Sequence, residues 1–330
     1  TDTNNAGGML MRACLAIIAA IAAIISTAAP AAEYPSRPLR LIVPFSAGSA
    51  TDLLARMIAP KMTETWGQPI VIDNRPSAGG TIAGGIVAAA APDGHTLLFT
   101  SSGFAGAAAL YDKLPYDPLK DFTGVTLVAV TPLVLVVAPN LAVKSVKDLI
   151  ALAQQKPGQL NFGSSGIGGG THYGGELFKL AAKINVVHVP YRGTPEVLTD
   201  TMSGRMHFFI SPVLPATPLI RAGRLIALGV TSPQRLPMLP DVPTIAEAAI
   251  PGFEYEGWYG VFVPSRTPRA IVNKLSQEIG RILRLSDIQE RITREGAAPK
   301  SMTPEQFDKM VRDEIVTRGK VFKAAGTKAE

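Results

Sequence analysis

From Leu39 onward, short β-branched and apolar segments alternate with longer stretches of helical period, which restricts the chain to βαβ units around a parallel sheet. Residues 39–45 read as a first strand and 53–66 as its helix. A second strand at 69–73, a small-residue helix at 80–91 and a third strand at 96–101 follow. The stretch 125–138 is too long and too rich in β-branched residues for one ordinary strand, and it reads as a crossing into a second domain. Beyond it the alternation resumes, with helices at 146–155, 171–182, 195–203 and 216–222. Strands at 160–163, 186–189, 207–210 and 225–230 separate them. An aromatic, β-rich segment at 255–263 returns the chain to the first domain, and amphipathic helices at 268–285, 287–295 and 304–325 complete it. The expectation is an α/β protein of two doubly wound domains joined by a two-segment hinge. The first domain spans 33–130 with 258–330, and the second spans 131–257.

Residues 1–32 stand apart from this pattern. Met9, Met11 and Arg12 precede an apolar run at 13–25 and small residues through Ala32, the layout of a secretory signal peptide. The run is shorter than the roughly 20 residues a spanning helix needs, and Ala29, Pro30 and Ala31 offer an A-x-A cleavage site, so the mature chain is expected to begin near Ala32 or Glu33. The only cysteine, Cys14, lies before the apolar core and leaves with the leader. A mature chain without thiols is indifferent to an oxidising compartment. The formal charge of +6 survives cleavage, because the leader holds one acid, Asp2, and one base, Arg12. The basic residues are scattered and show no arginine-aromatic stripe, which argues against nucleic acid and leaves a field that favours an anionic ligand.

Three strand-to-helix loops hold the candidate ligand contacts. In an open parallel sheet, ligands sit beyond the carboxyl ends of the strands, where loops lead into helix N-termini. The first loop, PFSAGSATD, contains Phe45, Ser46, Ala47, Gly48, Ser49 and Thr51. Gly48 permits close backbone approach, the hydroxyls offer hydrogen bonds, and free N–H groups at the helix start favour an anion. Ordinary N-capping by Ser49 or Thr51 explains the same residue types equally well. The second loop, FGSSGIGGGTH, supplies Ser164, Ser165, Gly168, Gly169, Thr171 and His172 as a backbone cradle before another helix. The third, HVPYRGTPE, supplies Tyr191, Arg192, Gly193 and Thr194, with Arg192 equally at home in solvent. Ser101, Ser102, Ser211, Trp258 and Tyr259 are weaker candidates.

Catalytic and cofactor signatures are meagre. Thr171 stands where a dinucleotide fingerprint places its third glycine, and no lysine follows the glycines as a phosphate-binding loop requires. Ser164 and Ser165 lack nucleophile-elbow spacing. The four histidines, His95, His172, His188 and His207, lack metal-ligand spacing. His172 beside the serine pair has no orienting acid to name. No catalytic residue, metal or cofactor is expected.

The runs PLRLIVPFSAGSATDLLAR, VIDNRPSAGGTIA, LPYDPLKDF, NFGSSGIGGGTHYGGELF, HVPYRGTPE, LPDVPTIAE and GWYGVFVPSRTP, in this order, resemble the Bug family of extracytoplasmic solute receptors. These are the substrate-binding components of tripartite tricarboxylate transporters. The resemblance implies a type II periplasmic-binding-protein fold and a periplasmic receptor, not an enzyme. It implies a small carboxylate, di- or tricarboxylic or aromatic, held between the loops matching Ser46 to Thr51 and Ser164 to Thr171. Tyr191, Arg192, Gly193 and Thr194 then lie beside the other end of the ligand. Ser49 stands where the family usually has a second glycine. Ser211 stands near an aspartate of amino-acid-binding relatives, which implies an acid without an amine. A monomer that delivers its ligand to membrane transporter subunits is expected; a sensor feeding a membrane kinase, and a periplasmic hydrolase, are the alternatives.

Overall fold

A computed structural model describes residues 33–77, 80–294 and 296–328. The signal-peptide reading of residues 1–32, Cys14 included, lies outside the described residues. The described residues from Arg37 onward form one compact unit. No helix among the described residues is long and apolar enough to cross a membrane.

The chain opens with β1 (Leu39–Val43), α1 (Ala50–Trp66), β2 (Ile70–Asn74), α2 (Thr81–Ala88), β3 (Thr96–Ser101) and α3 (Gly103–Leu110). The next strand, β4 (Phe122–Val137), runs without a break over 16 residues. It is followed by α4 (Val146–Gln155), β5 (Asn161–Ser164), α5 (Gly170–Ala182), β6 (Val187–Pro190), α6 (Thr194–Met202), β7 (Phe208–Pro212), α7 (Val213–Arg221) and β8 (Ile226–Val230). A short α8 (Ile245–Ala248) leads to β9 (Glu256–Pro264), α9 (Arg269–Ile282), α10 (Ser286–Arg294), β10 (Ala298–Pro299) and α11 (Pro304–Ala324).

The ten strands order as β2-β1-β3-β9-β4-β7-β5-β6 among the described residues, with β8 and β10 also on β4. The outer pairs β1–β2, β1–β3, β5–β6 and β5–β7 are parallel, as βαβ units require. The central pairs β3–β9, β4–β9 and β4–β7 are antiparallel, so the sheet is mixed. Length explains β4: its residues through Pro132 pair with β9, and those from Leu133 pair with β7 and β8. The proline, which has no N–H to give, stands where one partner is exchanged for the other. Beside it, Thr231 Oγ1 donates to Tyr255 O at 2.6 Å and accepts from Leu133 N at 2.8 Å, tying both crossings together.

Each half of the sheet has its own apolar core. On the β1 side, Phe104, Phe122, Trp258, Phe262 and Phe307 surround Ile42 and Leu98. Phe104 stacks on Phe262 at 4.6 Å and meets Phe122 edge-on at 5.2 Å. On the β5 side, Phe162, Phe178 and Phe208 pack over one face, and Val134, Phe209 and Val213 over the other. The C-terminal helix α11 serves both. A Thr303–Gln306 capping box starts it, and Asp308 accepts from Gly124 N on β4 at 2.7 Å. At its far end Phe322 packs on His172 and Tyr173 of α5.

Candidate functional site

The loop after β1 turns on Gly48, whose φ of 80° suits glycine, and delivers Ser49 as the N-cap of α1, with Oγ accepting from Asp52 N at 3.4 Å. Asp52 itself is 1% exposed, and it accepts from Gly48 N at 2.9 Å, Arg56 Nε at 2.9 Å and Asn74 Nδ2 at 3.1 Å. Burial alone would push its carboxyl up. The bonds from Arg56, Gly48 and Asn74 outweigh that and hold it below the ordinary range. The Gly48 amide, an expected anion donor, is therefore committed to the protein's own carboxylate. Ser46 is committed too, donating to Glu196 Oε1 of α6 at 2.5 Å.

In the loop after β5, Ser165 N donates to Thr171 Oγ1 at 2.9 Å, and the two hydroxyls meet at 3.0 Å. Gly168, with φ 75°, donates its N–H to His172 Nδ1 at 3.0 Å. Ser164 Oγ lies 2.6 Å from His188 Nε2 and also serves the Gly166 backbone. The His172 and His188 rings stack at 3.8 Å. Burial, with His172 and Lys179 adding to it, pushes His188 down to about 2. Burial thus favours the neutral ring, which pairs with Ser164 Oγ and ties the loop to β6.

The third loop divides its residues. Tyr191 Oη donates to Asp200 Oδ2 at 2.8 Å, and burial with that partner pushes the phenol up to about 12. Arg192 is exposed, and Thr194 is buried at the start of α6. Gly193 is extended, and a Cβ there would come within 2.9 Å of Ser46. Ser211 is fully buried, with Oγ on Pro212 O at 3.0 Å.

These loops close on a cavity of about 30 Å³. Phe45, Ser49, Thr51, Ser102, Ser165, Thr171 and Thr194 line it, together with the weaker candidates Ser101, Trp258 and Tyr259. Ser46, Ala47, Gly48, Ser164, Gly168, Gly169, His172, Tyr191, Arg192, Gly193 and Ser211 stand outside the lining. Ala50, Thr131, Leu133, Gly170, Pro212, Tyr255 and Gly257 line it without having been foreseen. Thr131 and Leu133 lie in β4, within the long 125–138 stretch, and Tyr255 and Gly257 lie in the aromatic return segment, Tyr255 just before β9 and Gly257 in it. Among the described residues no charged side chain lines the cavity. Its wall is instead built from the starts of α1, α3, α5, α6 and α7, each with N–H groups that lack an intrahelical acceptor. No cluster of three or more metal-ligating side chains occurs among the described residues.

The two halves meet backbone to backbone around this cavity. A Cβ on Gly106 of α3 would lie 1.8 Å from Gly168 O, and one on Gly103 would lie 3.2 Å from Gly169 Cα. Two α/β halves facing each other over an uncharged cleft ringed by helix starts define a solute-binding receptor. The family model described as Tripartite tricarboxylate transporter family receptor matches residues 54–327, and the chain belongs to that family. It is 35% identical over 324 residues to Protein BugT of Bordetella pertussis, covering 97% of this chain and 99% of the relative. An R. palustris protein solved with adipate superposes with a TM-score of 0.86 at 38% identity, over 89% of this chain and 99% of that one. MatC from Rhodopseudomonas palustris, solved with bound malate, gives 0.83 at 35% identity, over 87% and 99%. Members of the family are periplasmic solute-binding receptors and not enzymes.

Proposed function

We propose that this receptor is exported by its N-terminal leader, captures a small organic carboxylate in the cavity, closes over it and delivers it to the membrane subunits of a tripartite tricarboxylate transporter. The observation that carries the reading is the convergence of five helix starts on a cleft without a charged side chain. Partial positive charge on free N–H groups suits a carboxylate, and it does so without the desolvation cost of a buried lysine or arginine in the wall. The similar proteins solved with adipate and malate support the same ligand class.

In this reading Phe45, Ser49, Thr51, Ser102, Ser165, Thr171 and Thr194 touch the ligand. Ser46, Gly48, Ser164, Gly168 and His172 hold the loops that present them. Residues 33–130 with 258–330 move as one lobe and 131–257 as the other, hinged at the two crossings that Thr231 ties. A cavity of about 30 Å³ has room for one or two waters, so a dicarboxylate enters only when the lobes part. The ligand then shifts the open–closed balance by its differential affinity for the closed form. Isothermal titration and thermal shift against adipate, malate, a tricarboxylate and an aromatic carboxylate test the proposal. Saturable binding of at least one supports it, and no heat with no shift from any of them overturns it.

A further inference from the structure

Behind the cavity wall, α11 carries an acid and a base one turn apart that address two cleft residues. Arg318 is completely buried, and its guanidinium donates to Glu314 Oε1 at 2.6 and 2.8 Å. Its Nη2 also donates to Tyr255 Oη at 3.0 Å, and the guanidinium stacks over the Tyr173 ring at 4.2 Å. The other oxygen of Glu314 accepts from the Trp258 indole N–H. Tyr255 and Trp258 both line the cavity, and their polar atoms are thus engaged from behind by one ion pair.

The engagement fixes the direction of each polar group. Trp258 gives its only proton to Glu314 and presents the cavity with a ring alone. A guanidinium has no acceptor, so Tyr255 Oη must accept from Arg318, and the phenol keeps its own proton to donate. The nearest protein acceptor for that proton is Ser102 Oγ, at a long 3.4 Å. Both hydroxyls lie against the start of α5, where a Cβ on Gly170 would come within 2.6 Å of Ser102 Oγ and 3.1 Å of Tyr255 Oη. A donor polarised by a buried cation, beside free helix N–H groups, matches a carboxylate oxygen.

We propose that Tyr255 is a ligand-binding residue that donates its phenolic proton to the carboxylate, and that the Glu314–Arg318 pair is a positioning element that keeps this proton turned to the cleft. The proposal rests on the carboxylate reading above and adds to it the one donor whose polarity comes from a full charge.

The test is a cycle of four proteins titrated with adipate and with malate: wild type, Tyr255→Phe, the paired Glu314→Gln/Arg318→Gln variant, and all three substitutions together. The paired variant removes both charges at once and so leaves no buried ion alone. Losing a hydrogen bond to a charged group weakens binding by about tenfold or more in Tyr255→Phe. The glutamine pair should weaken binding to wild-type Tyr255 and cost nothing further in the phenylalanine background, a pattern a merely structural role does not give. In wild-type protein with isotopically labelled tyrosine, the Tyr255 ring resonance should shift on ligand addition, which reads the contact without any substitution. Binding of Tyr255→Phe within twofold of wild type, or an unmoved resonance, overturns the contact. An equal loss from the glutamine pair in both backgrounds overturns the positioning role. Failure of every carboxylate to bind wild type overturns the carboxylate reading itself, and this proposal with it.

Discussion

Gly106→Ala separates closure from folding. Gly106 lies inside α3, and the three atoms nearest to a Cβ built on it all belong to Gly168, in the loop before α5. The oxygen at 1.8 Å would have to recede by about 1.6 Å to reach the 3.4 Å at which ordinary contact begins. All three are backbone atoms and none is the free end of a side chain, so the strain falls on the approach of the two proposed lobes. Overpacking of this kind costs about 1–3 kcal/mol, or roughly 5- to 150-fold in the affinity of any ligand that needs the closed form. In the open form proposed above, with the halves parted, the new methyl would meet none of those atoms. There the substitution instead gains about 1 kcal/mol of helix propensity and lost chain entropy, enough to raise the melting temperature of a chain this long by about 2 °C. The variant should therefore bind adipate or malate more weakly than wild type while melting at or above the wild-type temperature without ligand. Titration calorimetry and a melting curve on the same samples decide the matter. Unchanged affinity together with a lower melting temperature would refute the reasoning, because the strain would then sit in one rigid body.

Two further expectations concern the second loop. Thr171→Val keeps the shape but leaves Ser165 N without its 2.9 Å acceptor; unsatisfied, that group costs about 1–3 kcal/mol, so both the melting temperature and carboxylate affinity should fall, as melting curves and titration will show. His188 is held down to about 2 in the folded protein against roughly 6.5 in an unfolded chain. Its contribution to stability is therefore complete above about pH 6.5 and is lost as the pH falls toward the folded value, by roughly 2–3 kcal/mol at pH 4.5. Denaturant titrations at pH 7 and 4.5 should show this slope in wild type and a flatter one in His188→Asn; a wild type with equal stability at both would contradict it.

Period alone made most outer elements legible, because β1, β2, β3, β5 and β6 pair locally and their helices bury one face. The antiparallel centre was not legible, since β4 and β9 are far apart in sequence and nothing local announces their register. Helix α3, GFAGAAAL, has no polar face to reveal a period, being buried between the halves. The stretch at 125–138 reads as a crossing because of its length, and the observed strand exchanges its partners within it, at Pro132. At the site, the three loops were found from their place after strands. Which of their hydroxyls face the cavity depends on partners elsewhere in the chain. Ser46 is claimed by Glu196, Ser164 by His188 and Tyr191 by Asp200, and only the assembled fold shows that Ser49, Ser165, Thr171 and Thr194 are left to the cavity wall.

The five helix starts around the cavity are not equivalent, and their first turns say where a carboxylate should lie. Helix α1 carries Asp52 and α6 carries Glu196 in the first turn, so each has an acid of its own near its free N–H groups. Helices α3, α5 and α7 have no acid there. The unopposed partial charge therefore lies at the starts of α3, α5 and α7, and at α3 and α5 it stands beside Ser102, Gly170, Thr171 and the Tyr255 hydroxyl. A ligand anion placed against α1 would instead lie over the helix turn that holds the buried Asp52 carboxylate, which bonds from Arg56, Gly48 and Asn74 keep below the ordinary carboxylate range. Under the proposed carboxylate reading these charges orient the ligand: its carboxylate goes to α5, and the side near Ser49 and Thr51 favours hydroxyl or apolar atoms over a second unscreened charge.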